Sequence, residues 1–446
     1  MIRDRPRSLD TLSLATRRRD SDGRLRVYYT IGPRWIAVVA VVIVIGVLTT
    51  QAALVYAGTV ALLALALSWA WGRLCLEGVA YRHTLSAPAV PFGEEVTLLI
   101  QIVNRKALPV LWLDCSVECP ATVELLQGAL TSAGLPGRRT LSTLVSVRGY
   151  ERVTRRYRLR CATRGEHLFG PVGLRAGDLF GLTTCARAVP ADLTLLVYPK
   201  VVPVTVLGLS ARFPLGDVRS PNRLVADPTC VVGVRPYTVG DSVRSVHWKA
   251  TAHRGTLQVK VQDPSATLRV LLCVNADLHG RTRSRADLLE LSLCVAASLA
   301  THLARGRYPF GLIANGRPTP PEPPLRVPVG HTSRHVTNVL ARLARLTSDG
   351  DTVPIIPLLR AELRSAPAGT TLVIITSVLD DALLALARSS RAAGYPIRLL
   401  LLGDDLRAVR PPGLDTYWIG DETRWRDLRA MSMADRTMTR APKCTV

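Results

Sequence analysis

Residues 35–71 read WIAVVAVVIVIGVLTTQAALVYAGTVALLALALSWAW, a stretch free of charged side chains and interrupted in the middle by Thr49-Thr50-Gln51. An α-helix rises about 1.5 Å per residue, so a hydrocarbon core of about 30 Å takes about 20 residues. Ala52 to Trp71 is long enough and Trp35 to Thr50 is short; together they predict an α-helical transmembrane hairpin over residues 35–72, with its polar break in the far headgroup layer. Trp35, Trp69 and Trp71 then fall on the near side, where amphipathic rings anchor. Residues 1–34 hold nine Arg against four Asp, Arg73 and Arg82 follow the second span, and the turn carries no charge. The positive-inside rule therefore places both termini in the cytoplasm. The expectation is a multi-pass protein of the cytoplasmic membrane, with a basic N-terminal segment (1–34) and soluble domains facing the cytoplasm. Two consecutive apolar stretches behind a long, partly acidic leader do not fit a cleaved signal peptide. The competing reading is a buried core hairpin of a soluble protein.

Outward from the hairpin, 446 residues predict two to three domains. With 48% hydrophobic and 20% charged residues the chain is too apolar for a disordered one. A net charge of +23 admits an anionic partner. The excess is mostly Arg spread over every segment, however, with no basic block beyond Arg17-Arg18-Arg19, so the charge does not single out nucleic acid as the partner. The nine cysteines are odd in number, irregularly spaced and without a Cys-x-x-Cys pair. They read as reduced, small apolar residues, and alternation puts Cys115 and Cys119 on one face of a strand.

Between residues 79 and 203 apolar side chains alternate in short runs bounded by Gly, Pro and Asn, as in Val96 to Val103 and Tyr157 to Cys161. Period two with that punctuation predicts antiparallel strands and a β-sandwich-like domain. Residues 204–264 form a connector. Over 265–420 buried strands (Thr267 to Val274, Tyr308 to Ala314, Thr371 to Thr376, Pro396 to Leu402) alternate with helices (Ser284 to Arg305, His331 to Leu346, Asp380 to Arg391). That succession predicts an α/β, Rossmann-like domain with a mostly parallel sheet. Pro318 to Pro328 reads as a loop or short hairpin edge, and 421–446 as a loose C-terminal tail.

The connector holds the most information. Asp241, behind Gly240, can cap a helix running to Arg254 and stopping at Gly255. On such a helix Asp241, Arg244, Trp248 and Thr251 share one stripe. The stripe is either a structural network, with Asp241 pairing Arg244 and Trp248 packed on a neighbour, or a face that presents Arg244, His247 and Arg254 to an acidic partner. Here the sequence resembles a family: Tyr237, Gly240-Asp241, Arg244, Trp248, Thr251-Ala252 and the strand ending in Lys260 are similar to the signature of domain of unknown function 58. Upstream, Asn104 with Pro109, Arg164-Gly165-Glu166-His167 with Gly170-Pro171, and Gly177 to Leu182 fit the same family, which extends the resemblance over most of 30–405. The resemblance implies a membrane-anchored, multidomain protein with a β-sandwich-like unit and a von Willebrand factor A-like α/β domain. Such proteins are commonly encoded beside a MoxR-type AAA ATPase and a transglutaminase-like membrane protein. It supplies no reaction, because the family's activity is not established.

A von Willebrand A-like domain holds Mg²⁺ through Asp-x-Ser-x-Ser after its first strand, since a hard cation takes carboxylate and hydroxyl oxygens. This chain has Asn275-Ala276-Asp277-Leu278-His279 there. An amide replaces the first acid and both hydroxyls are gone, so Asn275, Asp277 and Asp380 are weak metal candidates beside the reading that they cap turns. His331 and His335, at i and i+4, lack a third Zn²⁺ ligand nearby. Neither a Gly-x-Ser-x-Gly elbow nor a phosphate-binding Gly loop occurs. No catalytic residue, metal or cofactor is therefore assigned. The leading expectation is a non-enzymatic adaptor whose α/β domain docks a cytoplasmic partner, with a metal-dependent enzyme around Asp277 and a nucleic-acid-binding protein as the alternatives.

Overall fold

The computed structural model describes residues 25–29, 34–127, 130–132, 136–178, 182–190, 192–205, 231–238, 241–262, 269–277, 285–318, 324–347, 353–367, 369–420 and 425–432. They belong to two compact units, one ending at Tyr198 and the other starting at Pro199.

In the first unit, α1 (Arg34–Leu48) packs along α2 (Ala52–Leu74). Small residues set their separation: a Cβ on Gly58 would meet Ile43 at 2.4 Å, and one on Gly46 would meet Leu54 at 2.9 Å. The other faces carry exposed Val41, Val44, Leu63 and Leu67. Ala52–Leu74 is long and apolar enough to cross a bilayer, and Trp35–Leu48 is a shorter apolar helix. Thr50 turns the chain between them at φ 52°.

Both ends of the hairpin run into one β module. Leu25–Tyr29, ahead of α1, pairs antiparallel with Thr183–Val189, and α2 leads into Val79–Leu85. The strand at Leu25–Tyr29 lies inside the segment read as a basic leader. It is a short edge strand whose pairing partner is more than 150 positions away, and local pattern carries no sign of it. One sheet orders Leu25–Tyr29, Thr183–Val189, Val172–Gly177, Val110–Pro120, Arg138–Val147 and Thr131–Ser132. A second orders Val79–Leu85, Glu95–Asn104, Arg152–Cys161 and Val123–Leu125; a third, of three strands, holds Gly165–Phe169, Leu193–Val197 and Ala89–Val90. Period two is explicit in Glu95–Asn104, where Val96, Leu98, Ile100 and Ile102 are buried and the alternate residues are not. One apolar cluster draws Leu98 and Ile100 from the second sheet and Leu113, Val117 and Leu174 from the first, as stacked sheets do.

Cys75 and Cys185 are joined as a disulfide, which departs from the expectation of reduced thiols throughout. Only the tertiary fold brings the foot of α2 against Thr183–Val189. The other described cysteines are free and buried, Cys115 and Cys119 among them.

The second unit is built on a six-stranded sheet in the order Leu325–Gly330, Phe310–Ala314, Val270–Val274, Thr371–Thr376, Ile397–Leu402, Asp415–Gly420. All its pairings are parallel except that of the edge strand Leu325–Gly330. The four central strands are buried at every residue, as strands covered on both faces must be. Ahead of the sheet comes the short helix α3 (Trp248–Arg254). The covering helices are α4 (Arg285–Arg305), α5 (Ser333–Ala344), α6 (Ile355–Ser365) and α7 (Asp381–Ala392). Ile355 and Leu359 of α6 and Leu383 and Leu386 of α7 share a cluster with Leu271, Ile374 and Leu399, whereas α4 packs with α5. Part of α4, Ala286–Arg305, is also apolar over a bilayer-crossing length, but 72% of its most apolar stretch is buried against 11% for Ala52–Leu74. It is a core helix.

Helix α6 and the strand Asp415–Gly420 go beyond the sequence expectation. Pro357 in the first turn of α6 reads as a breaker, yet proline is tolerated there because the first N–H groups have no intrahelical acceptor. Asp415–Gly420 is a half-buried edge whose Asp and Gly look like turn residues. Nor is the tail loose as far as 432: Trp425 is buried, its Nε1 donates to Asp287 Oδ1 at 2.8 Å, and Met431–Ser432 pairs with Val204–Thr205. Ser284, the expected first residue of α4, lies outside the described residues.

Candidate functional site

Residues 231–262 fold as an antiparallel pair, Val231–Pro236 with Gln258–Gln262. The crossing between them contains a 3₁₀ turn (Val243–Ser245) followed by α3. The expected continuous helix from Asp241 to Arg254 does not form. Val246 is extended (φ −65°, ψ 131°), bridges to Val259 and is buried. β-branched residues at 243 and 246 are weak helix formers, and burying Val246 on the strand outweighs helix continuity. Consequently α3 starts at Trp248, with His247 as its N-cap: the ring Nδ1 accepts from Ala250 N at 3.1 Å. It ends at Gly255, whose φ of 69° is the left-handed cap that glycine adopts without cost.

The predicted stripe is therefore dispersed. Asp241 pairs with Arg235, through a fork of Arg235 Nη2 to Oδ1 (2.5 Å) and Nη1 to Oδ2 (2.7 Å). Thr238 donates its N–H and its hydroxyl to Oδ2, each at 2.9 Å. Thr251 Oγ1 accepts from Gln258 N (3.0 Å), and His247 N and Tyr237 N donate to Gln258 O and Leu257 O. Asp241, Thr251 and the His247 ring are thus occupied in holding this segment together. Gly240 and the side chain of Arg244 lie outside the described residues. What remains outward is apolar and basic: Trp248 is 66% exposed, Val243 67% and Leu257 47%, with Lys249, His253 and Arg254 exposed beside them.

The Arg235 fork and the Thr238 N–H hold the Asp241 carboxyl well below its usual range. An acid whose folded pKa is depressed adds stability above its unfolded value, and loses it only as pH falls through the folded one. The ion pair is therefore expected to persist from pH 7 to pH 4. In ¹³C-carboxyl-labelled protein the Asp241 resonance should not titrate over that range, whereas in Arg235→Gln its midpoint should move up toward the ordinary Asp value. A midpoint near 4 in the unaltered chain would contradict the geometry.

The second candidate region lies beyond the carboxyl ends of Val270–Val274 and Thr371–Thr376, where the strand order 3-2-1-4-5-6 reverses; open α/β sheets place ligands there. The residues are spent on one another. Asn275 Nδ2 donates to Thr376 Oγ1 (3.1 Å), and Asn275 Oδ1 accepts from Asn315 Nδ2 (3.0 Å) and Asp277 N (3.1 Å). Asn315 Oδ1 accepts from Ala276 N at 2.6 Å, and the Thr376 hydroxyl donates to Val378 O at 2.5 Å. Asn275, Asn315 and Thr376 are all buried. This donor set does not fit Mg²⁺, because the amide at 275 turns an N–H₂ toward the hydroxyl and the oxygens already have partners. Asp380 caps α7 by accepting from Leu383 N at 3.0 Å. Among the described residues no group of three or more His, Cys, Asp and Glu could hold a metal ion. His331 is exposed ahead of α5, while His335 hydrogen-bonds Phe310 O through Nε2 at 2.8 Å and packs on the Phe310 ring. Sequence reasoning passed over Asn315 and Thr376, whose only signal is a polar residue closing an apolar strand.

Residues 233–399 match the family described as Protein of unknown function DUF58. A relative from Bacillus subtilis (strain 168), "Uncharacterized protein YeaD", is 27% identical over 304 residues, 66% of this chain and 69% of its own. Among solved structures, the C-terminal domain of wzt aligns at 14% identity and TM-score 0.19, over 28% of this chain and 75% of that one. A non-cellulosomal cohesin from Archaeoglobus fulgidus aligns at 16% identity and TM-score 0.17, over 26% and 90%. No conclusion rests on likenesses at such scores.

Proposed function

We propose, from the premise that the chain belongs to the family Protein of unknown function DUF58, that it is a membrane-anchored, non-enzymatic adaptor. Its von Willebrand A-like α/β unit docks a cytoplasmic protein, a MoxR-type AAA ATPase, and α1 and α2 hold the assembly at the membrane with both soluble units in the cytoplasm. The observation that carries this reading is the division of labour within 231–262. Its polar groups lock the backbone, and Trp248, Val243 and Leu257 are left outward from a pinned element. A rigid aromatic flanked by basic side chains is the composition of an interface hot spot. The membrane part is supported by the exposed apolar faces of α1 and α2 and by the return of both hairpin ends to one β module, which fits two spans with their ends on one side.

The test is capture of the full chain from membranes in mild detergent with ATP present. An AAA ATPase should accompany it, and Trp248→Ala should weaken the capture by roughly thirtyfold, the factor of a hot-spot truncation, with an unchanged thermal melt because that ring is exposed. Recovery of the chain alone, or equal capture by the variant, would overturn the docking reading.

A further inference from the structure

Strand Glu95–Asn104 ends where α2 meets the β module, and Asn104, 1% exposed, organises that end. Its Nδ2 donates to Leu108 O and to Arg148 O, both at 2.9 Å, and its Oδ1 accepts from Lys106 N at 3.3 Å. One side chain thereby closes loop 104–108 and ties it to turn 148–152. Further contacts fix the pair: Tyr150 N donates to Lys106 O at 3.0 Å, and Asn104 N to Glu151 O at 2.9 Å. Gly149 lies so close to Ala107 that a Cβ would meet its carbonyl oxygen at 2.3 Å. The joined loops are bound to the membrane helix itself. Lys106 Nζ donates to the terminal carbonyls of Leu74 and, at 2.6 Å, Cys75, and Arg105 N donates to Gly78 O, an ammonium at the negative end of a helix dipole.

The outward side chains of this clamp are Arg105, Arg148, Arg152 and Tyr150, the last 75% exposed and held at φ 55°. Arg73, stacked over Trp69 at 4.1 Å, continues the row onto the last turn of α2. With Lys106 that is five basic residues, against Glu77 and Glu151, and Glu151 is engaged by the Arg148 N–H at 2.7 Å. Positive charge and an aromatic tip, immediately below an apolar helix, match the composition of the membrane interface.

We infer that loops 104–108 and 148–152 form a rigid basic collar at the foot of α2 that binds the anionic headgroups of the phospholipid leaflet. The inference rests on the membrane reading above and adds a lipid specificity to it. The full chain, reconstituted in vesicles of phosphatidylcholine mixed with phosphatidylglycerol and then extracted in mild detergent, is analysed for retained lipid by mass spectrometry. Phosphatidylglycerol should be enriched over the input ratio by at least about fivefold, the weight of one basic residue at an anionic surface. Arg105→Gln/Arg148→Gln/Arg152→Gln should return the ratio to that of the input. Arg156→Gln/Arg158→Gln/Arg160→Gln, on the same strand as Arg152 but running away from the foot, should keep the enrichment. Equal ratios in the unaltered chain, or enrichment that survives in the first variant, would each overturn the collar. A chain that fails to enter vesicles at all removes the membrane reading with it, whereas insertion without enrichment removes the collar alone.

Discussion

With arginine at both Leu63 and Leu67, the full chain is expected to leave the membrane fraction. The two positions lie near the middle of α2 and are 71% and 55% exposed, so in the present reading they face lipid. Each arginine at a helix centre costs about 2.5–3.5 kcal/mol of insertion free energy. Together that is a shift of more than about three orders of magnitude in partition. Carbonate extraction followed by high-speed centrifugation reads it: the unaltered chain pellets and the double variant does not. As a control, Leu144→Arg alters a side chain that is 69% exposed on the β module and should pellet as before. An unaltered chain in the supernatant, or a double variant still in the pellet, would sink the anchor.

Asn275→Asp is expected to be the most destabilising conservative change in the α/β unit. The amide donates to Thr376 and accepts from Asn315 and Asp277, in a site 4% exposed. A carboxylate there loses the donor and brings a buried charge, a loss of about 3 kcal/mol or more. In a unit of this size that lowers Tm by on the order of 10 °C. Burial also raises the new acid's pKa, so the deficit should shrink as pH falls and the group takes up a proton, a dependence the asparagine cannot show. Differential scanning calorimetry of the full chain in detergent checks both. An unchanged Tm would mean that the network carries no weight, and rescue of the variant by Mg²⁺ would revive the metal-dependent alternative.

The family resemblance rested on residues whose structural use was not legible in the sequence. Asn104 carried part of the resemblance with no structural use attached, and its side chain clamps two loops 44 residues apart through Leu108 and Arg148. Asp241 forks with Arg235, six positions back on the preceding strand, a partner that helical spacing does not suggest, because that spacing applies only where a helix exists. What broke that helix was Val246, whose burial on Val259 is a contact no local propensity contains. Trp248, which the structural reading of the stripe packs on a neighbour, is 66% exposed, and that exposure required the fold to be known.

Period and charge by themselves determined the apolar hairpin, the alternating strands and the strand-helix succession of the second unit. These are properties of neighbours along the chain: a run of Val and Leu or a two-residue alternation decides its own burial wherever it is placed. Only the tertiary structure decided the strand at Leu25–Tyr29, the 3-2-1-4-5-6 order with its antiparallel edge, the Asn275-Asn315-Thr376 network and the clamp around Asn104. Each joins groups distant in sequence, and hydrogen-bond partners across such distances are selected by how the layers stack, which no single segment encodes.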